Sequence, residues 1–445
     1  MTRAAGSRVA TVLFVCATSA AGAAVASAQS PLTLEEAMKR AQGETVDARA
    51  LASTIDEAGA RVQSAQSGFW PRVELTETVQ RGNDPVFAFG SLLSQRRFTA
   101  ANFAIASLNH PDPVTNTRTA IGIEQPVFDA GRTLLGTKAA KLGRDIAAAA
   151  RDAGEQDLAF RAAQAFLRVL QLEAAVRATD AGVTAAESDY DRARARRDVG
   201  VVTEADVLAV DVHLADMHQR QITVRGDLSV ARIRLAEAVG LPLTAAVQVM
   251  HPTPRSVSDD ADALVREAVA SHPRRREADL QVQLAENARR TARTALLPTV
   301  GLQGGWEFNG ATLSDQRSSW LVGAEVRMNL FRGFGDRARI SEASHAQLRA
   351  SADHERVLRR IEVDVRAALA ELAAARGREE AGRAALAQAR EARRIIGDRY
   401  ESGLATVTEV LRAAEATLDA ESRATAAEMD VILHTVALDR ALGRL

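Results

Sequence analysis

Two matching stretches decide the fold: Arg399-Tyr400-Glu401-Ser402-Gly403-Leu404-Ala405-Thr406-Val407-Thr408-Glu409-Val410-Leu411-Arg412 and, 203 residues earlier, Arg196-Arg197-Asp198-Val199-Gly200-Val201-Val202-Thr203-Glu204-Ala205-Asp206-Val207-Leu208. In each, a glycine is followed three residues on by a threonine, and the threonine three residues on by an acid. Glycine ends a helix where positive φ costs little. Thr-x-x-Asp/Glu is a capping box that starts the next helix. Each stretch therefore reads as the turn of a helical hairpin.

Outward from the turns, the same offset persists. Phe128 falls on Phe331, and Gly240 on Gly443. Leu158, Ala162, Ala165, Val169 and Leu172 fall on Ile361, Val365, Ala368, Leu372 and Ala375, in steps of four and three that mark a coiled-coil seam. A constant offset over so long a span, without a gap, indicates an internal duplication. All eleven prolines lie at or before Pro298, with none in 127–241 or 299–445. A proline inside a helix removes a hydrogen bond and clashes with the preceding turn, so these tracts predict hairpins over 131–240 and 334–443. An arm over 131–200 would be roughly 100 Å long at ~1.5 Å per residue.

Shorter helical pieces over 33–67 and 261–295 precede extended segments with a period of two. Over 319–331, Trp320, Val322, Ala324, Val326, Met328 and Leu330 face one way, and Gly323, Glu325, Arg327 and Asn329 the other. Val300, Leu302, Trp306 and Phe308 alternate with polar or glycine residues in the same manner. The expected strands are about 71–82, 117–128, 298–309 and 319–331. In the first, Glu77 interrupts the apolar face of Val73, Leu75 and Val79.

Each strand has the length that a tilted strand needs to cross a bilayer, and its two faces suit lipid outside and water inside. A soluble sheet covering a core alternates likewise. Four strands cannot close a membrane barrel, and open edges in lipid would strand backbone polar groups. Several copies must then share one. The long connection 82–116, which carries Phe87, Phe89, Leu92, Leu93, Phe98 and Phe103, reads as an external loop folding over the barrel mouth, or as a partly disordered surface loop.

The amino terminus fits export. Arg3 and Arg8 precede a weakly apolar stretch, and Ala26-Ser27-Ala28 offers a cleavage site, so 1–28 is expected to be a signal peptide. The sole cysteine, Cys16, lies inside it. Leu13-Phe14-Val15 before Cys16 does not suit a lipid-attachment signal. Repeat 1 then runs over 29–240, a linker over 241–260, and repeat 2 over 261–445. The fold class is mainly α with a small membrane β part.

At this point the chain resembles the TolC-like outer-membrane channel family of bacterial efflux and type I secretion systems. Leu32-Thr33-Leu34-Glu35-Glu36-Ala37 is similar to the family's start, and Phe69-Trp70-Pro71 and Leu297-Pro298 to its strand beginnings. Gln125-Pro126-Val127-Phe128 with Gly131-Arg132 is similar to its return into the long helix, and the stretch from Arg399 to Leu411 to its hairpin tip. The resemblance implies a homotrimer with a twelve-stranded β-barrel in outer-membrane lipid and a helical α-barrel through the periplasm. It also implies a periplasmic adaptor on the tips, coupled to an inner-membrane pump. Two departures stand out: Gly43-Glu44-Thr45-Val46 replaces the usual Asn-Pro after the first short helix, and Arg412 replaces an acid often found three residues after Glu409.

In the family, acids at the positions of Asp206 and Glu409 ring the periplasmic entrance. Repeated by symmetry, they would concentrate negative field and favour cations; as capping residues they equally serve the helix starts. Arg412 is a candidate to pair with an acid and hold the gate, and Tyr400 to hydrogen-bond across neighbouring coils. The expected adaptor contacts are Gly200, Val201, Val202, Thr203, Gly403, Leu404, Ala405 and Thr406.

Other chemistries lack support. His213 and His218 are five apart, off the one-face spacing of a zinc pair, and no phosphate loop or nucleophile elbow occurs. Arg192, Arg194, Arg196 and Arg197 form a basic run without interleaved aromatics, at a helix end where cations suit the dipole. A net charge of −1 carries no general field toward nucleic acid. Neither an enzymatic role, a cofactor nor a metal is expected. The reading is a passive exit channel; the alternative is an exported coiled-coil scaffold or adhesin without a pore.

Overall fold

The computed structural model describes residues 31–253 and 255–445; the expected signal peptide and Cys16 lie outside them. The order is α1 (Leu34–Gly43), α2 (Val46–Gln66), β1 (Arg72–Gly82), α3 (Pro85–Ser94), α4 (Ile105–Asn109), β2 (Val114–Phe128), α5 (Arg132–Asp198) and α6 (Glu204–Ala238). There follow α7 (Ala261–Ser271), α8 (Pro273–Thr294), β3 (Thr299–Gly310), β4 (Gln316–Arg327), α9 (Gly335–Glu401) and α10 (Val407–Leu442). The duplication is visible in the lengths: α5 and α9 each have 67 residues, and α6 and α10 have 35 and 36.

The matched seam residues make the core. Leu158, Ala162, Val169 and Leu172 are buried on α5, as are Ile361, Val365, Ala368, Leu372 and Ala375 on α9. The first set packs with α1, α6 and Val436 of α10; most of the second packs with Leu264 and Ala268 of α7 and Leu438 and Leu442 of α10. The buried alanines of the seam, Ala162, Ala368 and Ala375, leave room for the long helices to run close together. Away from the seam the helices are polar and laced with ion pairs, for example Arg220–Glu415 at 3.1 Å between α6 and α10.

Each pair of short helices is broken at the same place relative to its hairpin. In repeat 2 Pro273 opens α8, with His272 as its cap. In repeat 1 there is no proline, yet Thr45 caps α2 by accepting from the Ala48 N–H at 3.1 Å. The end of each hairpin rests on that break. A Cβ on Gly240 would meet the Glu44 carbonyl oxygen at 3.0 Å, and one on Gly443 the His272 Cα at 3.2 Å. Both glycines also have positive φ, 75° and 73°.

The four strands form one antiparallel sheet in the order β1-β2-β3-β4. The register aligns the apolar alternation of every strand. Val73 pairs with Ile123 and Leu75 with Ile121; Ile121 pairs with Trp306, and Trp306 with Trp320. That face is bare: Leu75, Trp320, Val322 and Val326 are each 70% exposed. A soluble sheet would turn such a face onto a core. Here the helix packed on the sheet is α3, and it lies over the polar face at the end away from the hairpins. Gln95, just after α3, donates to the Thr115 carbonyl at 2.8 Å and to Asn116 Oδ1 at 2.9 Å. Asn116 in turn donates to Asn309 at 2.9 Å, and all three side chains are buried.

Two expectations need correction. The segment 82–116 is not a partly disordered loop but contains α3 and α4, with Phe89, Phe98 and Phe103 stacked edge to face at 4.7 and 5.0 Å. The last strand runs over Gln316–Arg327 rather than 319–331. Its ladder ends where Thr299 pairs with Arg327, because β3 supplies no partner for Met328, Asn329, Leu330 or Phe331.

Candidate gate at the hairpin tips

At the first tip Gly200 takes φ 77° and its N–H bonds to the Arg197 carbonyl. Thr203 then caps α6. The Asp206 N–H donates to Thr203 Oγ1 at 3.3 Å, while Asp206 Oδ2 accepts from the Thr203 N–H at 2.9 Å and from its hydroxyl at 2.8 Å. At the second tip Gly403 takes φ 71°. Glu409 Oε2 accepts from the Thr406 N–H at 2.7 Å and from its hydroxyl at 3.0 Å. Both acids are thus oriented by capping boxes. The Thr203 backbone N–H, with its hydroxyl, holds the Asp206 carboxyl below the usual carboxylate range. The Thr406 backbone N–H and hydroxyl do the same for Glu409, with smaller help from Arg399 and Arg412.

Arg412 is exposed and, among the described residues, makes no ion pair; its field is its only influence on Glu409 within the chain. Gly200, Val201, Thr203, Gly403, Leu404 and Thr406 are exposed, and Val202 and Ala405 half-buried. Val201 and Leu404 leave apolar side chains at the very ends of the molecule, 65% and 69% exposed.

Among the described residues Tyr400, expected to hydrogen-bond across neighbouring coils, makes no hydrogen bond within the chain through its hydroxyl. It packs with Tyr190 and Leu411 on a small cluster of Ala193, Val207, Val210 and Val407, which joins the two hairpins near their tips. Beside this cluster, Arg196 adds a polar tie between the tips. Its Nη1 donates to the Tyr400 carbonyl at 2.8 Å and its Nη2 to the Glu401 carbonyl at 3.2 Å, with the guanidinium 4.5 Å above the Tyr400 ring. These carbonyls end α9, where a helix dipole favours a cation. The sequence placed Arg196 in a basic run that complements the dipole of its own helix end, not in a tie to the second tip. Its counterpart at the repeat offset, Arg399, instead turns back on its own tip, to the Leu404 carbonyl at 3.3 Å. Sequence cannot separate such equivalents.

Among the described residues no three His, Cys, Asp or Glu side chains gather as a metal site, and no helix is long and apolar enough to cross a membrane. A sheet bare on its apolar face, open at both edges and carried on helical hairpins defines a membrane channel subunit. The family model described as outer membrane efflux protein matches residues 37–241 and 264–444, and the chain belongs to that family. It is 26% identical over 344 residues to the outer membrane efflux protein BepC of Brucella suis, covering 75% of this chain and 74% of that protein. To the protein CyaE of Bordetella pertussis it is 28% identical over 345 residues, 75% of this chain and 72% of that one. Among solved structures, the CmeC outer membrane channel of Campylobacter jejuni superposes with a TM-score of 0.77 at 14% identity, covering 92% of this chain and 85% of that one. VceC of Vibrio cholerae gives 0.74 at 18% identity, over 92% and 96% of the two chains.

The chain is therefore a channel protein rather than an enzyme, placed in the outer membrane and spanning into the periplasm. It serves as the exit channel of efflux or secretion. TolC-like channels are trimers that work with adaptor proteins and inner-membrane pumps. The scaffold alternative falls with this membership.

Proposed function

We propose that three copies of this chain complete a duct whose periplasmic end is closed by the tips at 196–206 and 399–412. Three four-stranded sheets close a barrel of twelve in lipid, and the hairpins continue it as a helical tunnel. The observation that carries this reading is the sheet: its apolar face is bare and both its edges are open, so a single chain can neither shield backbone groups from lipid nor enclose water. The duct itself holds no energy source. A periplasmic adaptor docks on the exposed tips, through Val201, Val202, Leu404, Ala405 and the flanking Gly200, Thr203, Gly403 and Thr406, and an inner-membrane pump drives transport.

At the gate, Asp206 and Glu409 form symmetric rings of carboxylates that favour cations, while Arg196 holds the second tip to the first through Tyr400 and Glu401. Planar-bilayer recording of the purified protein tests this. Asp206→Ala with Glu409→Ala should reduce preference for cations and weaken block by multivalent cations. Unchanged selectivity and block would remove the acids from the gate, and an absence of any conductance would remove the duct.

A further inference from the structure

Within one chain the strand ladder is fixed. A line perpendicular to the strands through Arg72 meets Glu124 of β2, Gln303 of β3 and Gly323 of β4. The free edges are β1 and β4, antiparallel to each other when copies adjoin. Two constraints select how they meet. The apolar residues are odd-numbered in β1 (Val73, Leu75, Val79) and even-numbered in β4 (Trp320, Val322, Ala324, Val326). A slip of one residue would turn every polar side chain into lipid, so only alternate registers remain.

Charge and tilt choose among those. The polar face of β1 carries Arg72 and Glu74, and that of β4 carries Glu325 and Arg327. One register sets Arg327 opposite the partner's Arg72 and Glu325 opposite the partner's Glu74, two like-charge pairs side by side. Sliding two residues one way sets Glu325 opposite the partner's Arg72. That advances the ladder by only about two residues per chain and tilts twelve strands by about 20°, short of the roughly 35–45° of membrane barrels. Sliding two residues the other way sets Arg327 opposite the partner's Glu74. The line through Arg72 then arrives at the partner's Thr78, an advance of about six residues per chain and a tilt of about 45°. One more such slide loses the ion pair and tilts the strands beyond about 50°.

We propose that β4 of one chain joins β1 of the next in the register that pairs Arg327 with the partner's Glu74. This rests on the trimeric reading above. Thr76 of the partner subunit then faces Glu325, and the partner's Val73, Leu75 and Val79 face Met328, Val326 and Val322, so the lipid face continues across the joint, interrupted by the partner's Glu77 opposite Ala324 and the partner's Arg81 opposite Trp320. Two features of the single chain fit. Glu74 lies opposite Gly122 and, among the described residues, has no ion pair. Met328 and Asn329, left without ladder partners by β3, gain the partner's Val73 and Arg72, and β4 lengthens toward the span that the alternation predicted. Arg327, already 2.8 Å from Glu325, would sit between two carboxylates.

Cysteine scanning reads the register directly. In a background with Cys16→Ser, which removes the only thiol, Thr76→Cys is combined in turn with Leu321→Cys, Gly323→Cys, Glu325→Cys and Arg327→Cys. Trimers in mild detergent are then oxidised and run without reductant. A disulfide needs Cα atoms about 4.4–6.8 Å apart, and a two-residue mismatch exceeds that. The Glu325→Cys pair should cross-link at least about fivefold better than the other three. A maximum at Leu321→Cys, Gly323→Cys or Arg327→Cys in intact trimers overturns the register and leaves the trimer standing. Monomers throughout, with no interchain product, overturn both.

Discussion

Arg196 is the residue that ties the two tips of one chain. A guanidinium that donates to two terminal carbonyls of α9 and covers the Tyr400 ring makes three favourable contacts, none of which its repeat counterpart Arg399 shares. Arg196→Ala should therefore raise single-channel conductance or open probability several-fold in planar bilayers, whereas Arg399→Ala should leave both near the parent value. Equal effects from the two variants would show that Arg196 acts as one of many helix-end cations. The neighbouring acids carry a pH prediction. Asp206 and Glu409 are held below the usual carboxylate range chiefly by threonine backbone N–H groups. A folded value below the unfolded one means that the charged caps stabilise the tips above the unfolded value, and that this stabilisation is lost as pH falls through the folded one. Cation preference should accordingly persist as pH is lowered through about 4, the ordinary carboxylate value, and vanish only below it. Loss of preference already above that value would mean that other carboxylates set the selectivity.

At the scale of elements, the hairpins and their caps were legible because glycine, threonine and acid recur at one fixed offset in the two repeats. The apolar stripe of each strand was equally legible from its period of two. What escaped was set by partners distant in sequence. The end of β4 depends on where β3 stops, and the helical build of 82–116 is anchored where Gln95 finds Asn116 on the sheet, which in turn donates to Asn309. The break between α1 and α2 was marked by a missing Asn-Pro, yet Thr45 makes the turn by capping alone. The glycines that rest on these breaks are the test. Gly240→Ala and Gly443→Ala should each cost about 1–2 kcal/mol from positive φ alone, with the steric clash added. Gly226→Ala, in mid-helix with nothing within 4 Å, should be neutral or slightly stabilising. Thermal unfolding in detergent separates these outcomes; a harmless Gly443→Ala would show that the α7–α8 break yields freely.

At the scale of the whole molecule, the chain divides into a part made for lipid and a part made for water. All three tryptophans belong to the former: Trp306 and Trp320 lie on the bare face, Trp70 at its hairpin end, and they are 54%, 70% and 74% exposed. In liposomes their fluorescence should be quenched by brominated acyl chains and little by aqueous iodide; the reverse pattern would put the sheet in water. The central claim is that one chain holds only part of a barrel. The mass of the detergent-solubilised protein, measured by native mass spectrometry, tests it most directly. Three chains per particle, with no stable single-chain species at comparable detergent, is the predicted result. A single chain that stays monomeric in mild detergent, or that remains in solution when detergent is withdrawn, would contradict it.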